Sequence, residues 1–360
     1  MIVRAFAFLA GLAILVATAQ AQVRVQLTRD SSLKERLKLA TGTTDDEGRV
    51  WVGYAIRRLM ERNSYVSTGW MVNGRMRRTT TLEDVLAKAG DPEAMPTEHS
   101  DSRILRGIER VEKRLAILVR YNEGDVDRVE FQTTDATYDS SRTMFVWIGE
   151  ARDEESAAFV VELFDGQSDR KVLEHIVTVA ALHDDAVPVV GPFLRRVLAG
   201  AYDGKVRRAA AYGLGGQPSR ESLVALSSAA RATAEESLQR DAVWALSQLD
   251  MPGAVDTLIA LALEAPSSKL RRTAVMAVAQ CAAEKTLETL TNVVENDPDT
   301  DVRRSAVWGL SQLRDGAGVP SLIALARSHP NPTVRKEAVH ALGQSKDERA
   351  FQALIEIVRK

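Results

Sequence analysis

The stretch Val334-Arg335-Lys336-Glu337-Ala338-Val339-His340-Ala341-Leu342-Gly343 decides the fold, because its pattern returns upstream every 32 positions. Val302-Arg303-Arg304-Ser305-Ala306, Leu270-Arg271-Arg272-Thr273-Ala274, Leu238-Gln239-Arg240-Asp241-Ala242 and Val206-Arg207-Arg208-Ala209-Ala210 open the four preceding copies. A fixed period of this length marks stacked units, none of which can bury its apolar face alone.

Within each copy the opening residue is followed four positions on by Ala210, Ala242, Ala274, Ala306 and Ala338, and eight positions on by Leu214, Leu246, Val278, Leu310 and Leu342. Steps of four lie on one helical face. A second apolar set (Leu226, Leu258, Leu290, Leu322, Leu354) falls twelve positions later, so each unit is a pair of helices. Asp203, Glu235, Ser267, Asp299 and Asn331 stand three positions before each opening, as N-cap residues, and Pro332 then takes a first helical position.

At these residues the chain resembles the HEAT-repeat family, in the short bacterial form named after phycobilisome lyases, whose hallmark is Val-Arg-x-x-Ala-x-x-Ala-Leu-Gly. No ankyrin Thr-Pro-Leu-His box or tetratricopeptide Trp-x-x-Leu-Gly run competes with it. Stepping the frame backwards finds weaker copies around Ala181-Leu182 with Leu194, and around Trp147-Ile148-Gly149 with Val160 and Leu163. The resemblance implies a mostly α chain: a right-handed α-solenoid of about seven two-helix repeats over residues 139–360, five of them regular from 203.

Residues 22–138 lack the period and read as a small α+β domain of unknown role. Val50 to Ile56 is rich in strand formers. Tyr65 to Val72, Asn73-Gly74 and Arg75 to Thr80 read as a tight hairpin. Leu115 to Tyr121 and Val126 to Thr133 flank Asn122-Glu123-Gly124-Asp125 as a second hairpin with a four-residue loop. Between the hairpins, Thr81-Leu82-Glu83-Asp84 is a capping box opening a short helix that ends at Gly90.

Met1 to Ala21 combines one charge, Arg4, with an apolar run and small residues at Ala17, Ala19 and Ala21. It reads as a secretory signal peptide, either cleaved after Ala19 or Ala21 or retained as an anchor. The expected location is the periplasm or beyond. With 47 basic against 49 acidic residues and a formal charge of −2, the chain has no nucleic-acid signature. The single cysteine, Cys281, stands where other copies have Leu249 and Leu313 and reads as a small buried hydrophobe, so no disulfide framework is expected.

Catalytic motifs are scarce: there is no His-Glu-x-x-His, Gly-x-Ser-x-Gly, Walker loop or Cys-x-x-Cys. His183-Asp184-Asp185, with His175 upstream, is the most metal-like group, but the aspartates begin an inter-helix turn where short polar chains bond to backbone. HEAT-type hydroxylases hold iron through His-Glu pairs, and this sequence has no His-Glu dipeptide. No cofactor is expected.

At 100° per residue, the second and sixth positions after each opening lie opposite the buried face. They hold Arg208, Arg240, Arg272, Arg304 and Lys336, and Tyr212, Trp244, Met276, Trp308 and His340. Each cation is one turn from a large, often aromatic, neighbour. Either the arginine stems lie over these rings and ring packs on ring, or the row is a docking surface of Trp and Arg side chains. The first-position arginines (Arg207, Arg271, Arg303, Arg335) are expected to reach acidic caps such as Asp203 or Asp299 in adjoining copies. The functional expectation is a non-catalytic scaffold in the cell envelope whose partner is another protein. The alternatives are an enzyme or ligand-binding domain at residues 22–138 with the solenoid as docking arm, and an enzymatic solenoid of the lyase type.

Overall fold

The computed structural model describes residues 22–26, 31–61, 66, 80–94, 102–105, 108–138, 144–232, 235–281 and 285–359. The chain divides into two compact units, Met1–Ala151 and Arg152–Lys360. The signal peptide at 1–21 and the hairpin turn at Asn73-Gly74 lie outside the described residues.

The first unit is built on strands β1 (Gln22–Val25), β2 (Arg49–Glu61), β3 (Ser102–Leu105), β4 (Ile108–Asn122), β5 (Asp125–Thr133) and β6 (Met144–Glu150). Their order is β1-β6-β2-β4, with β3 and β5 both on the far side of β4. β6 runs parallel to β1 and β2, whereas the β2, β3 and β5 pairings with β4 are antiparallel. Every residue of Val50–Ile56 except Gly53 belongs to the buried apolar core, as a strand covered on both faces requires. Gly53 is demanded by close approach: a β-carbon there would sit 2.7 Å from the Phe145 ring and 2.8 Å from Leu118.

Helix α1 (Leu33–Ala40) lies against β6, and α2 (Leu82–Lys88) buries Leu82 and Leu86 with Trp51, Ala55, Ala116, Leu118, Phe145 and Trp147. The capping box forms as expected: Asp84 N donates to Thr81 Oγ1 at 3.1 Å and Thr81 N to Asp84 Oδ2 at 3.0 Å. The β4–β5 turn is tighter than its sequence suggests. Asn122 pairs with Asp125, leaving only Glu123 and Gly124 in the turn, both left-handed at φ 52° and 95°. That is the conformation a two-residue turn needs to match strand twist.

The second unit begins with α3 (Asp153–Asp165) and continues with α4 (Arg170–Ala181), α5 (Val190–Ala199), α6 (Gly204–Leu214), α7 (Arg220–Arg231), α8 (Glu236–Gln248) and α9 (Ala254–Glu264). It is completed by α10 (Ser268–Gln280), α11 (Thr286–Asn296), α12 (Thr300–Gln312), α13 (Val319–Ser328), α14 (Pro332–Gln344) and α15 (Glu348–Arg359). From α4 onward leading helices (α4, α6, α8, α10, α12, α14) alternate with trailing ones, and each trailing helix packs mainly against the leading helix that follows it: α5 on α6, α7 on α8, α9 on α10, α11 on α12 and α13 on α14. Leading helices α4, α6, α8, α10, α12 and α14 each pack on the next, and α5 on α7, α9 on α11 and α13 on α15 form the second layer. The alanines four positions into the regular copies, Ala210 through Ala338, are fully buried, which lets neighbouring backbones approach.

The first of the seven expected copies is only half present. Trp147-Ile148-Gly149 is not helical but lies in β6, whose residues Met144–Gly149 are all buried. The domain boundary expected between 138 and 139 accordingly falls between 151 and 152. A short run that is apolar at every position carries no period, so it fits a central strand as well as a helix, and its Phe, Val, Trp and Ile favour the strand. What remains of that copy is α3, whose Phe164 meets Phe193 of α5 edge-on at 5.1 Å.

Candidate functional site

The candidate site is the outer face of the leading helices. The chain is held there by local signals: Asp203, Ser267, Asp299 and Asn331 each accept a backbone N–H in the first turn of α6, α10, α12 and α14. Glu235 makes no such cap and instead takes the guanidinium of Arg207 at 2.5 Å.

The first-position cations join copies together, by a route differing in part from the expected one. Arg207 Nε donates to Leu198 O at 3.0 Å, Arg335 Nη1 to His329 O at 2.7 Å, and Arg271 Nη1 to Ala265 O at 2.9 Å. Each therefore caps the carbonyl end of the preceding trailing helix, where positive charge is favoured. Gln239, which replaces arginine in its copy, does the same to Ala232 O. The acid Arg271 reaches is Asp297, not Asp299; Asp203 pairs with Arg170 at 3.6 Å.

The second-position row stands outward. Arg240, Arg272, Arg304, Lys336 and His340 are exposed, and Arg208, Trp244 and Met276 half-buried. Tyr212 is 76% exposed and Trp308 40%. Among the described residues none of these cations lies over the ring one turn away, and no two rings of the row stack. The cations turn sideways to carboxylates instead: Arg208 to Asp241 of the next copy at 3.5 Å, Arg304 to Glu337 of the next copy at 3.1 Å, and Arg240 to Asp241 at 3.8 Å. Tyr212 and Trp308 are left with open area in solvent. Between α12 and α14 the surface dips into a cleft of about 190 Å³ lined by Arg304, Trp308, Gln312, Glu337, His340 and Gln344 among others.

One further set was not singled out from sequence. Gln248, Gln280, Gln312 and Gln344 stand one turn beyond the large residues of four successive copies, and all four are exposed. The same 32-residue register that exposes the cations would have revealed them.

The metal-like group is engaged otherwise. His183 is buried, its Nε2 2.7 Å from Ser156 Oγ and its Nδ1 2.9 Å from Val179 O, while a hydrogen bond to Asp184 pushes the Asp185 carboxyl up. Desolvation pushes the Cys281 thiol up, and its sulfur bonds to Ala277 O at 3.4 Å, away from any thiolate role at neutral pH. Among the described residues no helix is long and apolar enough to cross a membrane.

The family model for HEAT repeats matches residues 191–279 and 287–360. No curated protein matches the chain in sequence. Among solved structures, human deoxyhypusine hydroxylase in complex with glycerol is similar at 18% identity over 57% of this chain and 84% of that one, with a TM-score of 0.24. The complex of CpcE and CpcF of phycocyanin lyase from Nostoc is similar at 16% identity over 56% of this chain and 94% of that one, with a TM-score of 0.28. The stretches similar to the HEAT-repeat model run from α5 to α10 and from α11 to α15, and so include five of the six leading helices.

Proposed function

We propose that the solenoid is a non-catalytic scaffold whose leading-helix face docks another protein, and that Met1 to Ala21 directs the chain to the cell envelope. The observation supporting this reading is the state of the aromatic row. Tyr212 and Trp308 keep large apolar area in solvent, and among the described residues no ring or cation is laid over them, although cations sit one turn away. Exposed Trp and Tyr beside Arg is the composition that dominates binding hot spots. Packing alone does not call for it.

The test is capture of partners by the exported full chain from its native envelope, compared with a Trp244→Ala, Trp308→Ala variant. Capture should fall at least tenfold while the melting temperature stays within a few degrees. A matching loss of stability would mean that the row is packing, and undiminished capture would place the docking surface elsewhere. Terminal sequencing of the exported protein reads the signal: a start at Gln20 or Gln22 supports cleavage.

A further inference from the structure

Each of four successive leading helices carries a cation, a large side chain and an amide on consecutive turns: Arg240-Trp244-Gln248, Arg272-Met276-Gln280, Arg304-Trp308-Gln312 and Lys336-His340-Gln344. Neither capping nor core packing requires the glutamines, since all are exposed at the ends of their helices. Gln248 and Gln312 donate only to the serine hydroxyl beside them, at 3.3 and 3.1 Å, and Gln344 meets His340 Nε2 at 3.0 Å. Their side-chain carbonyl oxygens have no partner among the described residues.

A primary amide offers a donor and an acceptor side by side, the complement of a peptide N–H and C=O. A segment with unpaired main-chain groups can engage every amide of such a row, whereas a bound helix has already spent its own. Spacing agrees with an extended guest. Packed helices lie about 8–10 Å apart, and three residues of polyproline-II-like chain advance about 9 Å, so one amide meets the guest every third residue.

Charge narrows the guest further. Among the described residues Arg272 and Lys336 have no acidic partner, and Arg240 has Asp241 only at 3.8 Å, within a chain whose formal charge is −2. We infer that this row is a groove for an extended, acidic polypeptide segment. The glutamine amides hold its main chain, Arg240, Arg272 and Lys336 meet its carboxylates, and the 190 Å³ cleft between α12 and α14 takes one of its side chains. The inference rests on the leading-helix face being the docking surface and adds what docks there.

The probe is a phage-displayed library of random 16-residue peptides, panned against the immobilised full chain. Recovered peptides should be enriched in Asp and Glu and lack the three-four apolar spacing of an amphipathic helix. Measured by calorimetric titration, their affinity should fall tenfold or more in the variant Gln248→Ala, Gln280→Ala, Gln312→Ala, Gln344→Ala. It should also fall in Arg272→Glu, Lys336→Glu, with the melting temperature unchanged in both. No enrichment, basic peptides, helix-patterned peptides, or undiminished binding to the glutamine variant would each overturn the inference. If Trp244→Ala, Trp308→Ala loses the peptides while the glutamine variant keeps them, the docking face stands and the main-chain role falls. If neither variant loses them, both readings fall.

Discussion

Arg271 and Asp297 meet in two parallel hydrogen bonds, Nε to Oδ2 at 2.7 Å and Nη2 to Oδ1 at 3.0 Å, with side chains 10% and 4% exposed. The same guanidinium donates through Nη1 to Ala265 O and Pro266 O. One side chain therefore ties the loop before its own copy to the loop that opens the next. Because a repeat array gains its stability from neighbour contacts, such a tie acts on cooperativity as well as on one helix.

Arg271→Ala should therefore cost about 3–5 kcal/mol, since it strands a buried carboxylate without its counter-charge. Arg271→Lys should fall between the two, because an ammonium keeps the charge but cannot reproduce the fork. Urea unfolding followed by circular dichroism at 222 nm measures both. The Lys and Ala variants behaving alike would show that the charge is immaterial and the geometry decides.

The N-cap aspartates set a pH dependence. Backbone N–H groups hold the Asp169 and Asp299 carboxyls below the ordinary 3.8, and the Lys205 N–H does the same for Asp203. A carboxyl whose folded pKa is depressed stabilises the fold above its unfolded value, and that contribution disappears as pH falls through the folded one. Thermal melts should thus steepen in their pH dependence below about pH 4. Asparagine caps a helix nearly as well without titrating. The variant Asp169→Asn, Asp203→Asn, Asp299→Asn should melt close to the parent at pH 7 and show a shallower acid limb, and an unchanged limb would assign the acid sensitivity to other carboxylates.

The solenoid was legible because two independent signals agree in four of the five regular copies, Glu235 being the exception: alanine at the fourth position, which the fold buries completely, and a short polar cap three residues ahead. The start of the array was not, because Met144–Glu150 has no period to read and its neighbours in the sheet, β1 and β2, are distant in sequence. The outward row followed from 100° geometry alone. Its electrostatics did not: Asp241 and Glu337 occupy the third position in only two of the five copies, so the sideways pairing that draws Arg208 and Arg304 off the rings shows no period. The glutamines were visible in the register, but a polar residue at an exposed helix end has an ordinary explanation, and only their free carbonyl oxygens set them apart.

Arg114 in the first unit separates the weight of two carboxylates that touch it. Asp91 lies 2.8 Å from Nη2 with its side chain wholly buried, whereas Glu150 Oε1 lies 2.9 Å from Nε in an ionic contact without hydrogen-bond geometry. Glu150 is also shared with Arg57, which keeps Glu93 and Glu112 at 3.0 Å when Glu150 is lost. Those pairs are half-exposed, where ion pairs contribute about 0–1 kcal/mol. Asp91 has a second task, accepting from Glu93 N at 3.2 Å at the turn after α2. Asp91→Ala should therefore cost about 3 kcal/mol and Glu150→Ala about 1, with Arg114 left facing the Trp147 ring, 5.4 Å from its guanidinium carbon to the centroid, with too few acceptors. A double-mutant cycle on Arg114 and Asp91 isolates the pair, and a coupling below that of Arg114 with Glu150 would show that the buried contact is not the stronger one.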